Sequence, residues 1–410
     1  MAESSSKVKP NVKPKRRRLR RFLIGLGIGI PATLVALWIA VHRVEWLGPL
    51  ISNSLRAVIG AEAVTWIQDR VYGVEDGFNR FWRKEEKPKA YWEVPKASAE
   101  REPTPVASAG DAGPPPLPPF RPKDVGPVHT SWSAPGDGQW VAVRDSRRPK
   151  EPTFLFKTLL HPDRNRSWAE LFVVAVDLRR VTLHAVPGYR EPKATLPEAK
   201  ELKRPAKIPV EHHEELLAAF NGGFMAEHGA YGMMVEGMRL LPPRKGVCTI
   251  AEMKTTGELR IATWDKLEAE EPKMNWYRQA PNCMYEDGKM HPALHNPEVR
   301  RWGATLEGDT VIRRSAIGID ASGKVLYVGI TNHTTARAIA QGMFHAGAKD
   351  VAQLDVNWSY PKFVLFEPGD AGAERQAVPL AKGFEFSTDE YIRKRSLRDF
   401  FYLLRKPTPP

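Results

Sequence analysis

The sequence predicts a mixed domain of strands and helices, set behind one transmembrane helix and a proline-rich linker. Three observations lead there. Residues 22–41 form an uncharged apolar run, residues 85–128 are crowded with proline, and residues 129–380 alternate short strand-like runs with two helix-like ones. The chain has 410 residues, 42% of them hydrophobic, which is enough to bury a sizeable core and excludes wholesale disorder. Two cysteines exclude a disulfide-dense scaffold and a four-cysteine zinc site.

Taken in order, residues 1–21 are a basic tail. They carry Lys7, Lys9, Lys13, Lys15, Arg16, Arg17, Arg18, Arg20 and Arg21 against the single acid Glu3. Most of the chain's net charge of +13 therefore sits in this tail. Such a tail could serve nucleic acid, but the run FLIGLGIGIPATLVALWIAV from Phe22 to Val41 favours a membrane reading with no nucleic-acid partner. About 20 apolar residues span the ~30 Å hydrocarbon core as a helix. The positive flank orients the N-terminus to the cytoplasm, with the main domain periplasmic or extracellular. The run is long for a cleaved signal peptide and lacks a clean small-residue cleavage site. The expected lipid partner is thus the bilayer, through residues 22–41 of a single-pass signal-anchor.

Residues 42–84 read as an amphipathic juxtamembrane helical segment, too polar for a second span. It either lies on the membrane surface, with Trp46, Trp66 and Trp82 at headgroup level, or packs as a stalk. Residues 85–128 hold Pro103, Pro105, Pro114, Pro115, Pro116, Pro118, Pro119, Pro122 and Pro127 and read as a semi-rigid extended spacer.

Residues 129–380 read as one domain. Strands are expected at 139–144, 169–177, 181–186, 259–263, 315–319 and 324–330, and a short one at 351–354 ending on Asp355. Helices are expected at 210–219 and 334–346, the second stopped by Gly347 as a C′ residue. Residues 381–410 are expected to form a docking helix and tail, with Tyr391, Leu397, Phe400, Phe401 and Leu404 on the apolar face.

The sequence lacks GxSxG, HExxH, Walker A and CxxC motifs, which argues against a serine esterase, a zinc protease and an NTPase. Three polar clusters remain. Asn221-Gly222-Gly223-Phe224 is either a plain turn or a place where backbone approaches a ligand. Arg314, at the head of an expected strand within Arg313-Arg314-Ser315-Ala316-Ile317-Gly318, is either a solvated edge charge or an anion ligand. Gln353-Leu354-Asp355-Val356-Asn357-Trp358-Ser359-Tyr360 is either a capped strand end or a loop able to hold a carbohydrate. His228 and His333 precede glycine-rich or helix-start positions and are read as cleft-lining or capping groups. Cys248 and Cys283 would both lie outside the cytoplasm, where one disulfide is permitted. No cofactor is expected and no metal cluster has recognisable spacing, since Asp355 and Asn357 alone offer too few oxygen ligands.

Together the clusters resemble the phosphodiester glycosidase family, and all elements come in the family's order. Asn221-Gly222-Gly223-Phe224 matches its Asn-Gly-Gly-Phe segment, and Tyr231-Gly232-Met233-Met234-Val235-Glu236-Gly237 its hairpin. Arg314-Ser315-Ala316-Ile317-Gly318 matches its Arg-Ser/Thr-Ala-x-Gly strand. Ala346-Gly347-Ala348 through Leu354-Asp355 matches the following helix end and strand, and Ser359 keeps its spacing. The resemblance implies an α+β fold of mixed, mainly antiparallel sheets with packed helices, and a hydrolase that cleaves sugar-1-phosphodiesters on the glycosidic side. Under it, Asp355, Arg314 and Asn221 are the catalytic candidates. Gly222, Gly223, Ser359, Asn357, Trp358, His333 and His228 are the substrate-binding candidates. One departure stands out: Val356-Asn357 replaces the family's glycine pair after Leu-Asp and should reshape the pocket. The partner is then a sugar-phosphate glycoconjugate or polysaccharide of the envelope. Two other readings follow from the same residues: a non-catalytic polysaccharide or phosphoglycan binding protein, and a scaffold with envelope protein partners.

Overall fold

The computed structural model describes residues 58–95, 117–296, 302, 310–356, 358–369 and 375–407, with scattered positions before residue 58. Residues 1–64 and 65–410 form two compact units. The first is covered only at scattered positions before residue 58. The expected span at 22–41 lies outside the described residues save Gly29, Thr33 and Ala36. Among the described residues no helix is long and apolar enough to cross a membrane.

The second unit is built from three antiparallel sheets. The largest has eight strands, ordered β1 (Val141–Val143), β2 (Leu155–Leu160), β3 (Leu171–Asp177), β14 (Val325–Thr334), β13 (Ile312–Ile319), β15 (Asp350–Gln353), β11 (Tyr285–Glu286) and β12 (Lys289–Met290). A five-stranded sheet runs β17 (Gln376–Pro379), β16 (Phe363–Glu367), β5 (Leu216–Asn221), β18 (Phe400–Arg405) and β4 (Val181–Val186). Another runs β7 (Met238–Leu241), β6 (Met233–Val235), β10 (Met274–Ala280), β8 (Cys248–Met253) and β9 (Leu259–Thr263). The α+β architecture of mainly antiparallel sheets is as expected, although few helices accompany it.

Side-chain parity explains why the strands read as continuous apolar runs. On β3, Phe172, Val174 and Val176 enter one core, shared with the two five-stranded sheets. Leu171, Val173 and Ala175 enter a second core with Ile339, Ala340 and Met343 of helix α2 (Ala336–His345). A strand covered on both faces has no polar side to alternate with. Helix α2 begins where the Thr335 side chain accepts from the Ala338 amide, and Gly347 follows its end at φ 120°, as the glycine stop predicts.

Two expected helices are strands. Residues 210–219 hold one short helical turn, Val210–His212, and then enter β5. The tail holds no docking helix: residues 387–399 are turns and short bridges, and Phe400–Arg405 is β18. There Phe401 and Leu403 face the main core, while Phe400, Tyr402 and Leu404 pack with Tyr391 and Ile392 behind the sheet. Two-sided burial gives a run of apolar residues that a helix-periodic reading also fits. Because β18 lies between β5 and β4, the domain does not end at residue 380.

The segment expected at 42–84 contains helix α1 (Ala61–Trp82), whose sides are reversed relative to a core helix. Asp76 docks on the domain through Arg166, with both bonds at 2.6 Å. Ile67, Val71, Val74, Phe78 and Phe81, spaced four and three residues apart, are all exposed. The described ends of the proline-rich segment also differ from a free spacer. Tyr91 stacks edge-on against Phe172 at 4.8 Å, and Phe120 is buried against Phe156. Aromatic side chains dock these ends even though the intervening prolines cannot build a core. Cys248 and Cys283 form a disulfide with Cα atoms 4.6 Å apart.

Candidate functional site

The three sequence clusters meet where β5 and β15 end and β13 begins, at the seam between the eight-stranded sheet and the sheet containing β18. Asn221 is the last residue of β5 and is 1% exposed. Its side-chain amide donates to Ser315 Oγ at 2.8 Å, and its oxygen accepts from the Lys362 amide at 3.1 Å. Ser315 Oγ in turn donates to the Asp355 carbonyl at 2.8 Å. The Asp355 amide closes the ring by donating to the Gly222 carbonyl at 3.0 Å. Asn221, Gly222, Ser315 and Asp355, scattered over 135 positions of the chain, are thus one hydrogen-bonded unit.

Strand β18 brings in groups absent from the sequence reading. Arg398 pairs with the Asp355 carboxylate, and both are buried. Burial opposes the charge on Arg398, but Asp355 and Tyr360 beside it outweigh that and raise its pKa. Its guanidinium lies 3.7 Å from the centre of the Tyr360 ring. The adjacent Asp399 accepts from the Gly223 amide at 2.8 Å and from Arg278 Nε at 2.9 Å. Arg278 also donates to the Tyr231 carbonyl at 2.9 Å, binding the Asn-Gly-Gly turn to the hairpin behind it. Both glycines are sterically required. A Cβ on Gly222 would strike Asp399, and one on Gly223 would lie 2.8 Å from Arg278 Cζ. The signal for Arg398-Asp399 was a charged pair immediately before an apolar run. The helix assignment spread those residues over a surface and hid it.

The parity of β13 separates the two adjacent arginines. Ser315 shares its face with Ile317 and Ile319, toward the main core, and Arg314 lies on the other face with Ala316. Arg314 donates to the carbonyls of Thr334 at 3.1 Å, Trp302 at 2.6 Å and Thr310 at 3.1 Å, and to Gln353 Oε1 at 2.9 Å. Its fork is filled by backbone, and burial lowers its pKa. Arg313 takes the Ser315 face. It donates to the Trp358 carbonyl at 2.7 Å and to Asn332 at 3.0 Å, with its guanidinium 4.0 Å from the Trp358 ring centre.

His333 stands beside this second group, its ring 5.4 Å from Trp358, in the left-handed region at φ 45°. Burial and then the Arg313 charge push its pKa down to about 4, so it is neutral at pH 7. Ser359 follows Trp358 in the same half-buried turn. His228 sits after the glycine turn and pairs with Glu227 at 3.7 Å. Asn357 lies outside the described residues. The structure thus joins Asn221, the two glycines and Asp355 in one group, and Trp358 with His333 in a neighbouring one. Arg314 points away from both. Among the described residues no group of three or more His, Cys, Asp or Glu could hold a metal.

The comparisons agree with the motifs. A family model described as phosphodiester glycosidase matches residues 214–355, the stretch from β5 to Asp355. No curated protein matches the chain. Among solved structures, the chain is similar to the catalytic domain of zebrafish N-acetylglucosamine-1-phosphodiester alpha-N-acetylglucosaminidase, auto-inhibited by its pro-peptide. That likeness has 14% identity, 65% of this chain and 88% of that one covered, and a TM-score of 0.39. A hypothetical protein from Synechocystis matches at 10% identity over 62% of each chain, with a TM-score of 0.34. The family that residues 214–355 of this chain match is thus the phosphodiester glycosidase family.

Proposed function

We propose that the protein hydrolyses sugar-1-phosphodiester linkages of envelope or extracellular glycoconjugates. The observation that carries this reading is the hydrogen-bonded ring of Asn221, Gly222, Ser315 and Asp355, which draws the family's separate motifs to one point. In this reaction water adds to the anomeric carbon and the bond from that carbon to the phosphate oxygen breaks. The phosphate keeps the electron pair and leaves as a phosphomonoester, and the water proton passes to solvent. Positive charge develops on the sugar ring and negative charge on the phosphate. Asp355 is the carboxylate placed for the sugar side, and Arg398, whose buried Nε has no hydrogen-bond partner among the described residues, is the cation beside it. Asn221 and the Gly222-Gly223 backbone fix the geometry. Anchoring by residues 22–41, with the main domain periplasmic or extracellular, completes the proposal. The outward apolar stripe of α1 supports it, since such a face is suited to a bilayer surface.

The test uses the full chain, a panel of sugar-1-phosphodiesters and water labelled with oxygen-18. Release of free sugar with an unlabelled phosphomonoester shows cleavage on the sugar side. Label in the phosphate, or no turnover across the panel by folded protein, refutes the reading. Asp355→Asn, checked for folding by circular dichroism, should abolish turnover. The saturated fork of Arg314 and the near-complete burial of Asp355 favour a second reading, a phosphoglycan-binding protein without turnover. It predicts retained binding with no product.

A further inference from the structure

On the His333 side of the Trp358 turn lies an open cleft of about 340 Å³. Its walls come from segments that the motifs do not touch. The end of α1 and the residues after it supply Asn79, Arg83, Glu86 and Lys87, and the approach to β3 supplies Ser167, Trp168 and Glu170. Asn332 and His333, at the end of β14, connect the cleft to the Trp358 turn.

We propose that this cleft receives a phosphate-bearing sugar. The inference rests on the phosphodiester reading above and says where that substrate is held. Ser167 is 5% exposed, and its Oγ is buried without a hydrogen-bond partner among the described residues, although it lines the cleft. A hydroxyl left so costs free energy unless a ligand engages it. Trp168 is half-buried and gives the apolar wall that a sugar ring needs, with the Arg83 guanidinium 5.5 Å from its ring centre.

The cleft's anion-binding groups are Arg83, Lys87 and Lys89. Glu86 is engaged by Lys89 at 2.7 Å and by Arg83 at 3.9 Å. Burial raises the pKa of Glu170, and the groups acting on it are His161, Arg83, Asp137 and Glu86. Arg83, Lys87 and Lys89 line the cleft together with Glu75, Glu86 and Glu170, and Arg83 is the cation held over the Trp168 ring. His333 stays neutral and can hydrogen-bond a sugar hydroxyl without adding charge.

Isothermal titration of the full chain with glucose 1-phosphate, methyl glucoside and inorganic phosphate tests this. The phosphosugar should bind more tightly than either half. Arg83→Gln should weaken the phosphosugar by about tenfold or more, the usual worth of a charge-assisted bond, and leave methyl glucoside unchanged. Trp168→Ala should weaken both sugars and spare inorganic phosphate. No binding of glucose 1-phosphate by the parent, or parental affinity in both folded variants, overturns the cleft. Binding of inorganic phosphate as tight as the phosphosugar also overturns it and marks an anion site alone. Turnover separates the two readings. Loss of binding in the cleft variants, with no diester hydrolysed by the parent, keeps the cleft and removes the hydrolase. Hydrolysis with an unchanged KM in both cleft variants removes the cleft and keeps the hydrolase.

Discussion

Replacing Arg398 by Met should be among the most damaging single changes to the fold. The side chains of Arg398 and Asp355 are 2% and 3% exposed. Methionine preserves much of the volume but removes the cation paired with the buried Asp355 carboxylate. Removing one partner of such a pair typically costs about 3–5 kcal/mol, because the remaining charge keeps its desolvation penalty and loses its compensation. For a domain of this size each kcal/mol lowers Tm by roughly 2–4 °C, so Arg398→Met should melt about 6–20 °C below the parent. The double variant Arg398→Met/Asp355→Leu removes both charges and should recover most of that loss, since apolar replacement of a whole buried pair is often close to neutral. The assay is thermal unfolding followed by near-ultraviolet circular dichroism, with turnover measured in parallel. A loss below about 1 kcal/mol in Arg398→Met, the range of exposed pairs, would refute the argument. So would a double variant whose loss equals the sum of the two singles.

Four further outcomes follow from the geometry. Gly222→Ala drives a methyl group into Asp399 and should unfold the domain or cost several kcal/mol, whereas Gly237→Ala meets no atom within 4 Å and should cost only about 1 kcal/mol for its positive φ; denaturant midpoints compare them. Replacing Cys248 and Cys283 by Ser opens a loop with a sequence separation of 35 and should cost about 2–5 kcal/mol, read from urea unfolding. The depressed pKa values of His333 and His184, both about 4 mainly through burial, make the unfolded chain bind more protons than the folded one between pH about 4 and 6.5. Their contribution is therefore complete above pH 6.5 and lost as pH falls toward 4, and His333→Gln should flatten the stability curve in that window. Val74→Asp/Phe78→Asp should abolish quenching of a probe at residue 71 by spin-labelled lipid in vesicles carrying the full chain; undiminished quenching would refute a bilayer-facing stripe.

Much of the larger sheet was legible because its strands are short, rich in β-branched residues and bounded by polar turns. In the smaller sheets, the expected strand at 181–186 coincides with β4, and that at 259–263 with β9. Helix α2 was legible from its composition and glycine stop. The region 210–221 and the tail were not, for one shared reason. β5 and β18 are central strands buried on both faces, so their apolar runs carry no period of two to set against a helical one.

The sequence by itself carried the match of residues 214–355 to the family model, and the candidates Asn221, Gly222, Gly223 and Asp355, because their order and spacing along the chain are the signal. Only the tertiary structure decided which charges face one another. It matched Asp355 with Arg398 and Asp399 with Arg278, over separations of 43 and 121 residues that no local pattern encodes. It also turned Arg314 away from the motif ring and Arg313 toward Trp358. The side-chain alternation along β13 fixes that choice, and it acts only once the sheet has two distinct faces.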